Sequence, residues 1–83
     1  MDALKVDLER QTNRTSIMRI TGWTEQELED LRHLHYQDMK EAVLEELDKR
    51  NGGLGTCWHN AYYVFQMWVR DDAVMVEIGN SSD

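Results

Sequence analysis

Hydrophobic positions recur along this chain with two different periods. Near the N-terminus Leu4, Val6 and Leu8 alternate with polar residues, and Ile17, Met18 and Ile20 follow a polar stretch from Arg10 to Ser16. Alternation is the period of a strand with one buried face. The first part of the chain therefore predicts two strands joined by a polar loop, with a short helix over 16–21 as the alternative. In the middle, Leu28, Leu31, His35, Met39, Ala42 and Val43 fall on one stripe at about 100° per residue, and Tyr36 and Leu47 extend it. That stripe is the core face of a helix. Further on, 61–69 is rich in Tyr, Val, Phe and Trp, which favour strands. Val74, Val76 and Ile78 then alternate with Met75 and Glu77, and Arg70-Asp71-Asp72-Ala73 predicts a tight turn between two strands. Ala61, Val64, Phe65 and Trp68 also fit a helical stripe; the strand reading is preferred on propensity and on the alternating segment that follows.

The helix has legible ends. Thr24 is a good N-cap with Glu27 three residues on, the pattern of a capping box, and Trp23 and Leu28 are placed for the accompanying hydrophobic staple. Asn51, Gly52 and Gly53 supply a left-handed stop, with Lys49 and Arg50 at the negative end of the helix dipole. A helix from Thr24 to Arg50 is roughly 40 Å long. The sequence has no Pro, repeat or low-complexity linker. We therefore expect a single domain over residues 1–83, of class α+β: a small antiparallel sheet, β-β-α-β-β in order, packed on one long central helix.

Charge changes this picture. Sixteen acidic and nine basic residues give 83 residues a net charge of −7. A protein that grips nucleic acid by its phosphates needs a basic surface, and an anionic membrane attracts one. Direct nucleic-acid and membrane binding are therefore not expected. One cysteine excludes an internal disulfide framework. No stretch has the apolar length of a signal peptide or a membrane span, so a cytoplasmic location is expected.

The charge is also unevenly placed. Residues 1–23 sum to +1, residues 24–50 to −5 and residues 51–83 to −3. Within the helical segment Glu27, Asp30, Asp38, Glu41, Glu45 and Asp48 fall in a narrow arc beside the core stripe, with Leu34 in the one missing place. Like charges three or four residues apart destabilise a helix slightly, and only Glu45 has a basic residue, Lys49, four positions on. A face built for solubility alone interleaves Lys. The arc is therefore the candidate surface for a basic partner; a merely solvated face is the plainer reading. Leu34 and Leu44 lie off the core stripe and are candidate homodimer contacts.

Aromatic residues cluster at Trp58, Tyr62, Tyr63, Phe65 and Trp68. On a regular strand Tyr63, Phe65, Met67 and Val69 share one face, and Tyr62, Val64 and Trp68 share the other. One face is core, and the second is either covered by the rest of the fold or an exposed patch; Trp58, Tyr62 and Trp68 are candidate dimer or aromatic contact residues.

Gly55-Thr56-Cys57-Trp58 resembles, over four residues, the nucleophile segment of papain-like cysteine proteases. That family places its His much later in the chain, and no His follows His59 here. No paired Cys spacing supports a metal site among Cys57, His59, His33 and His35. A helix-turn-helix over 16–33 would begin its recognition helix with Glu25-Gln26-Glu27, the wrong sign for phosphates. No catalytic residue, metal or cofactor is therefore expected.

In size, charge and lack of motifs the chain resembles the small acidic inhibitors of phages and mobile elements, including anti-CRISPR and anti-restriction proteins. With the acidic arc as the candidate surface, the expectation is a non-enzymatic protein-binding regulator or inhibitor whose acidic helix face blocks a basic, nucleic-acid-handling partner; the resemblance is of class only, with no shared motif residues. The alternatives are a homodimeric assembly protein with a solvated acidic face and a small DNA-binding regulator using Arg10, Arg14 and Arg19.

Overall fold

The computed structural model describes residues 2–80, with the side chains of Asn60, Ala61, Tyr62 and Asn80 outside the description. Four strands form one antiparallel sheet. β1 (Lys5–Gln11) and β2 (Thr15–Thr21) make an N-terminal hairpin, and β3 (Tyr62–Arg70) and β4 (Ala73–Asn80) a second one. The sheet order is β1-β2-β4-β3, so one strand from each hairpin lies at the centre. The segment 15–21 is strand, not the alternative short helix. The first hairpin loop is organised by Thr12: its Oγ1 accepts the backbone N–H of Thr15 at 3.1 Å, and its own N–H donates to the Thr15 carbonyl at 2.9 Å. In the second turn Asp71 lies at φ 54°, a conformation that Asp tolerates better than most residues.

The helical run between the hairpins differs from the single rod expected over 24–50. It is divided into α1 (Glu25–Arg32), α2 (Tyr36–Arg50) and α3 (Leu54–Ala61). The capping box at Thr24 is complete: Thr24 Oγ1 accepts the Glu27 N–H at 3.1 Å, and Glu27 Oε1 accepts the Thr24 N–H at 2.8 Å. The break falls at 33–35, where His33 caps α1 and His35, extended at ψ 159°, begins α2. No Gly or Pro marks it. The constraint is spatial. Strands of seven to nine residues span about 23 to 30 Å, and the molecule's longest dimension is 37 Å. A straight rod of roughly 40 Å would carry part of its apolar stripe past the sheet. Breaking it buries Leu28 and Leu31 of α1 and Met39, Val43 and Leu47 of α2 in one core. His35, placed on that stripe by periodicity, is instead exposed at the junction.

The helices cover one face of the sheet. Val74, Val76 and Ile78 of β4, Ile20 of β2 and Met67 of β3 share the core cluster with the helical residues. α3, which the hydrophobic pattern did not predict, turns back against α2 at Gly55. A Cβ there would stand 2.0 Å from the Leu44 carbonyl oxygen, so only glycine permits this approach. Asn51, at the end of α2, clasps the N-terminal segment: its Oδ1 accepts the Leu4 N–H at 3.0 Å, and its Nδ2 donates to the Leu4 carbonyl at 2.8 Å. Arg50 beside it is nearly enclosed. It donates to the carbonyls of Asp2 and Gly22 and to Glu27 Oε2.

A bulge in β3 corrects the expected pairing of faces. The register passes from Val64↔Ile78 to Gln66↔Glu77, leaving Phe65 extra. Shifting by one residue exchanges faces. Val64 therefore joins Met67 and Val69 on the helix side, while Tyr63 shares the open face with Gln66 and Trp68. The Phe65 ring lies over Gly79, where a Cβ would meet Phe65 Cε2 at 2.2 Å. On this open face Met75, flanked by Arg19 and Trp68 in the register, is fully buried. Glu9 on one edge strand and Arg70 on the other are joined by an ion pair.

Gly55→Ala is expected to destabilise the fold by about 2–3 kcal/mol, because the methyl must displace backbone in a packed region. Gly53→Ala, which meets nothing within 4 Å but sits at φ 86°, should cost only about 1 kcal/mol. Urea denaturation of the two variants tests the difference.

Candidate functional site

The six acids of the sequence-derived arc do not form one row. Glu27 and Asp30 belong to α1, and both have local partners. Glu27 closes the capping box and pairs with Arg50 at 3.4 Å; Asp30 Oδ1 accepts from Gln26 at 2.9 Å. The remaining four, Asp38, Glu41, Glu45 and Asp48, lie on α2. Their spacing of three, four and three keeps them on one face over about 15 Å of helix.

Of these four, Asp48 serves the fold. Its Oδ1 accepts the Thr56 N–H at 2.7 Å and its Oδ2 the Thr56 hydroxyl at 2.9 Å. A carboxylate at the first turn of α3 satisfies an otherwise free amide and suits the helix dipole. Glu45 pairs with Lys49 at 3.0 Å, and that contact raises the Lys49 pKa. Asp38 and Glu41 are exposed and have no basic partner among the described residues. The acidic site is therefore Asp38 and Glu41, flanked by the partly neutralised Glu45.

Beside them α2 and α3 enclose a shallow groove of about 310 Å³. Leu44 and Gly55 line it, Glu41, Glu45 and Asp48 stand along one side, and His59 comes from α3. An apolar strip edged with carboxylates suits a side chain with an aliphatic stem and a cationic head.

The other candidate contact residues are dispersed. Leu44, only 9% exposed, is covered by α3, and Trp58, at 6%, belongs to the core; neither is a free surface anchor. Leu34 is exposed, but in the α1–α2 junction rather than on a helix face. Trp68 is half-buried on the open sheet face, and the Tyr62 side chain lies outside the described residues. The most exposed aromatics among the described residues are instead Tyr63, at 62%, and Phe65, at 57%, with ring centroids 6.4 Å apart; Tyr36 is less exposed, and its hydroxyl donates to the Val64 carbonyl. Only the bulge brings Tyr63 and Phe65 forward, and nothing in the sequence announces a bulge.

Of the basic residues of the N-terminal hairpin, Arg10 and Arg14 are exposed and Arg19 is half-buried. Arg19 is bound to Asp72 at 3.0 Å on the open sheet face. The segment 16–21 is strand, so a helix-turn-helix over 16–33 lacks its first helix. Cys57 and His59 lie exposed on α3. His33 pairs with Glu29 at 2.9 Å, and no cluster of three or more His, Cys, Asp or Glu with metal-binding geometry occurs among the described residues.

Comparison with known proteins gives no match: no family model fits the chain, and no curated protein or solved structure is similar to it.

Glu29 is held below the ordinary carboxylate range, chiefly by its hydrogen bond to His33 and the charge of that ring, with Arg32 adding to the effect. A depressed carboxylate supports the fold above its unfolded value and loses that support as the pH falls through the folded value. In a carbon-detected NMR titration Glu29 should titrate below the ordinary glutamate range. In His33→Gln it should move back toward that range.

Proposed function

We propose that the protein binds a basic protein partner through the outer face of α2 and acts as a non-enzymatic regulator or inhibitor. The observation that carries this reading is the pair Asp38 and Glu41, solvent-facing on a fifteen-residue helix with no neutralising cation among the described residues. Glu29, Glu45, Glu46 and Asp72 lie within ion-pair distance of a cation; Glu25 and Asp71, like Asp38 and Glu41, have none among the described residues, but they stand singly, at the start of α1 and in the β3–β4 turn. The groove beside Leu44 adds a place for a lysine or arginine stem. Together they offer a cationic surface two things a merely solvated face does not: unspent charge and an apolar seat.

Asp38, Glu41 and Glu45 place carboxylates at intervals along one helix face, so a protein whose natural ligand is polyanionic, as nucleic acid is, is the favoured class of partner. Such a surface accelerates encounter and sets specificity more than it adds raw affinity. Blocking a nucleic-acid-handling complex, as the anti-CRISPR type of inhibitor does, is the fitting biological role. The exposed thiol of Cys57 suits a reducing compartment, in keeping with a cytoplasmic site of action. No helix among the described residues is long and apolar enough to cross a membrane.

A second reading, a homodimeric assembly protein, is favoured by the Tyr63–Phe65 pair standing exposed on the open face of the sheet. Such pairs are typical contact anchors. Sedimentation of the free protein separates the readings: a dimer that Phe65→Ser dissociates supports the second, and a monomer removes it.

Affinity capture from a lysate of the source organism across a salt series tests the main reading. A basic nucleic-acid-handling protein should be retained at low salt and released at high salt. Asp38→Lys with Glu41→Lys should reduce its recovery about ten-fold or more at low salt, whereas Lys49→Gln, which frees Glu45, should increase it. Capture unaffected by the double reversal would falsify this reading.

A further inference from the structure

A second groove, on the hairpin side of the molecule, carries chemistry opposite to that of α2. Its volume is about 460 Å³, within the range of small-ligand sites. It lies where the N-terminal hairpin extends beyond the helical layer. Leu8, Met18 and Ile78 of the sheet and Trp58 of α3 form its apolar walls, and the hairpin loop 11–16 forms a polar rim. Leu8 is 54% exposed although it lies on the helix-facing side of β1, paired with Met18. The helical layer does not reach it.

Charge sets this groove apart. The whole chain carries −7, yet no Asp or Glu lines the groove, and its one charged lining residue is Arg14. Arg14 has no carboxylate partner among the described residues, unlike Arg19, Arg32, Arg50 and Arg70. Its backbone is fixed by Thr12, whose Oγ1 accepts the Arg14 N–H at 3.3 Å, and the same hydroxyl holds the Thr15 N–H. The rim is thus tied down before any ligand arrives, which reduces the ordering cost of binding.

We propose that this groove is a binding site for a small organic anion with an apolar body, such as an aromatic or acyl carboxylate. The body packs against Leu8, Met18 and Trp58, and the anionic group meets Arg14 and the side-chain amides of Gln11 and Asn13 on the rim. A cationic ligand would find no lining carboxylate, because Glu77, which reaches the rim, is taken up by the Thr15 hydroxyl and the Gln66 amide, and a fully apolar ligand would leave Arg14 unused. None of the lining residues belongs to α2, so this site stands independently of the acidic face.

The test uses the whole chain and 1-anilinonaphthalene-8-sulfonate, an aromatic body with one anionic group, beside its uncharged analogue N-phenyl-1-naphthylamine. The anionic probe should bind saturably with one-site behaviour. Its amide shift changes should centre on residues 11–18 and on the Trp58 indole. Arg14→Gln, a change at an exposed loop position that leaves the core intact, should weaken the anionic probe about ten-fold, the size expected of one charge-assisted hydrogen bond. The same variant should leave the neutral analogue unchanged. Leu8→Glu should weaken both. Three results overturn the proposal: no saturable binding, equal affinity in the wild type and Arg14→Gln, or shift changes centred on Tyr63 and Phe65 of the open sheet face.

Discussion

One sheet face is the surface on which this chain's helices bury their apolar side chains, and that face is shorter than the helical sequence that must cover it. A helix contributes to stability here mainly by removing apolar area from water, at about 25 cal/mol per Å², and it can do so only where there is sheet beneath it. The break at 33–35, the return of α3 along α2 and the burial of Trp58 all follow from fitting the run of residues 24–61 over one small sheet. The acids were displaced by the same fitting. Glu27 and Asp30 went with α1, Asp48 was drawn to the N-terminus of α3, and the outer face of α2 kept Asp38, Glu41 and Glu45. The proposed partner surface is what the packing of the core left over, with Asp38 and Glu41 unpaired among the described residues.

The junction at the end of α2 holds this arrangement in register. Asn51 satisfies both backbone groups of Leu4 as another strand would, and Arg50 reaches the carbonyls of Asp2 and Gly22 while pairing with Glu27. A guanidinium this enclosed is tolerable because its donors find acceptors. The buried inventory agrees: no buried side-chain nitrogen or oxygen lacks a partner among the described residues. The polar links in this small domain tie segments together; the apolar layer supplies the cohesion.

The parts of the fold written locally in the sequence were legible there. The capping box at Thr24 and Glu27, the Asn51-Gly52-Gly53 stop, the turn at Asp71 and the alternation over Val74–Ile78 each depend on a few neighbouring residues, and each is found where the pattern predicts it. The parts set by tertiary fit were not. Nothing in His33-Leu34-His35 breaks a helix by itself, and Leu54–Ala61 has neither a clean stripe nor a cap other than Asp48, which lies outside the segment. The bulge at Phe65 depends on Gly79 across the ladder. The candidate site divides in the same way. The acidic face of α2 was readable because periodicity places it, but the removal of Asp48 required knowing that α3 exists. The hairpin groove was invisible, since its walls come from β1, β2, β4 and α3.

The strand order has a consequence for how the chain reaches this structure. The two central strands come from opposite ends of the sequence: Thr15 meets Glu77 across 62 positions, and Arg19 meets Asp72 across 53. Closing so wide a loop costs chain entropy before the central ladder repays it. Each hairpin by itself is a two-stranded ribbon, marginal in water. Neither half of this protein is therefore a folding unit. During synthesis the N-terminal hairpin and the helices must wait, with apolar faces uncovered, until β4 has left the ribosome and slots between β2 and β3. Structure is acquired all at once and late, and the fourth strand to be made is the one that completes the middle.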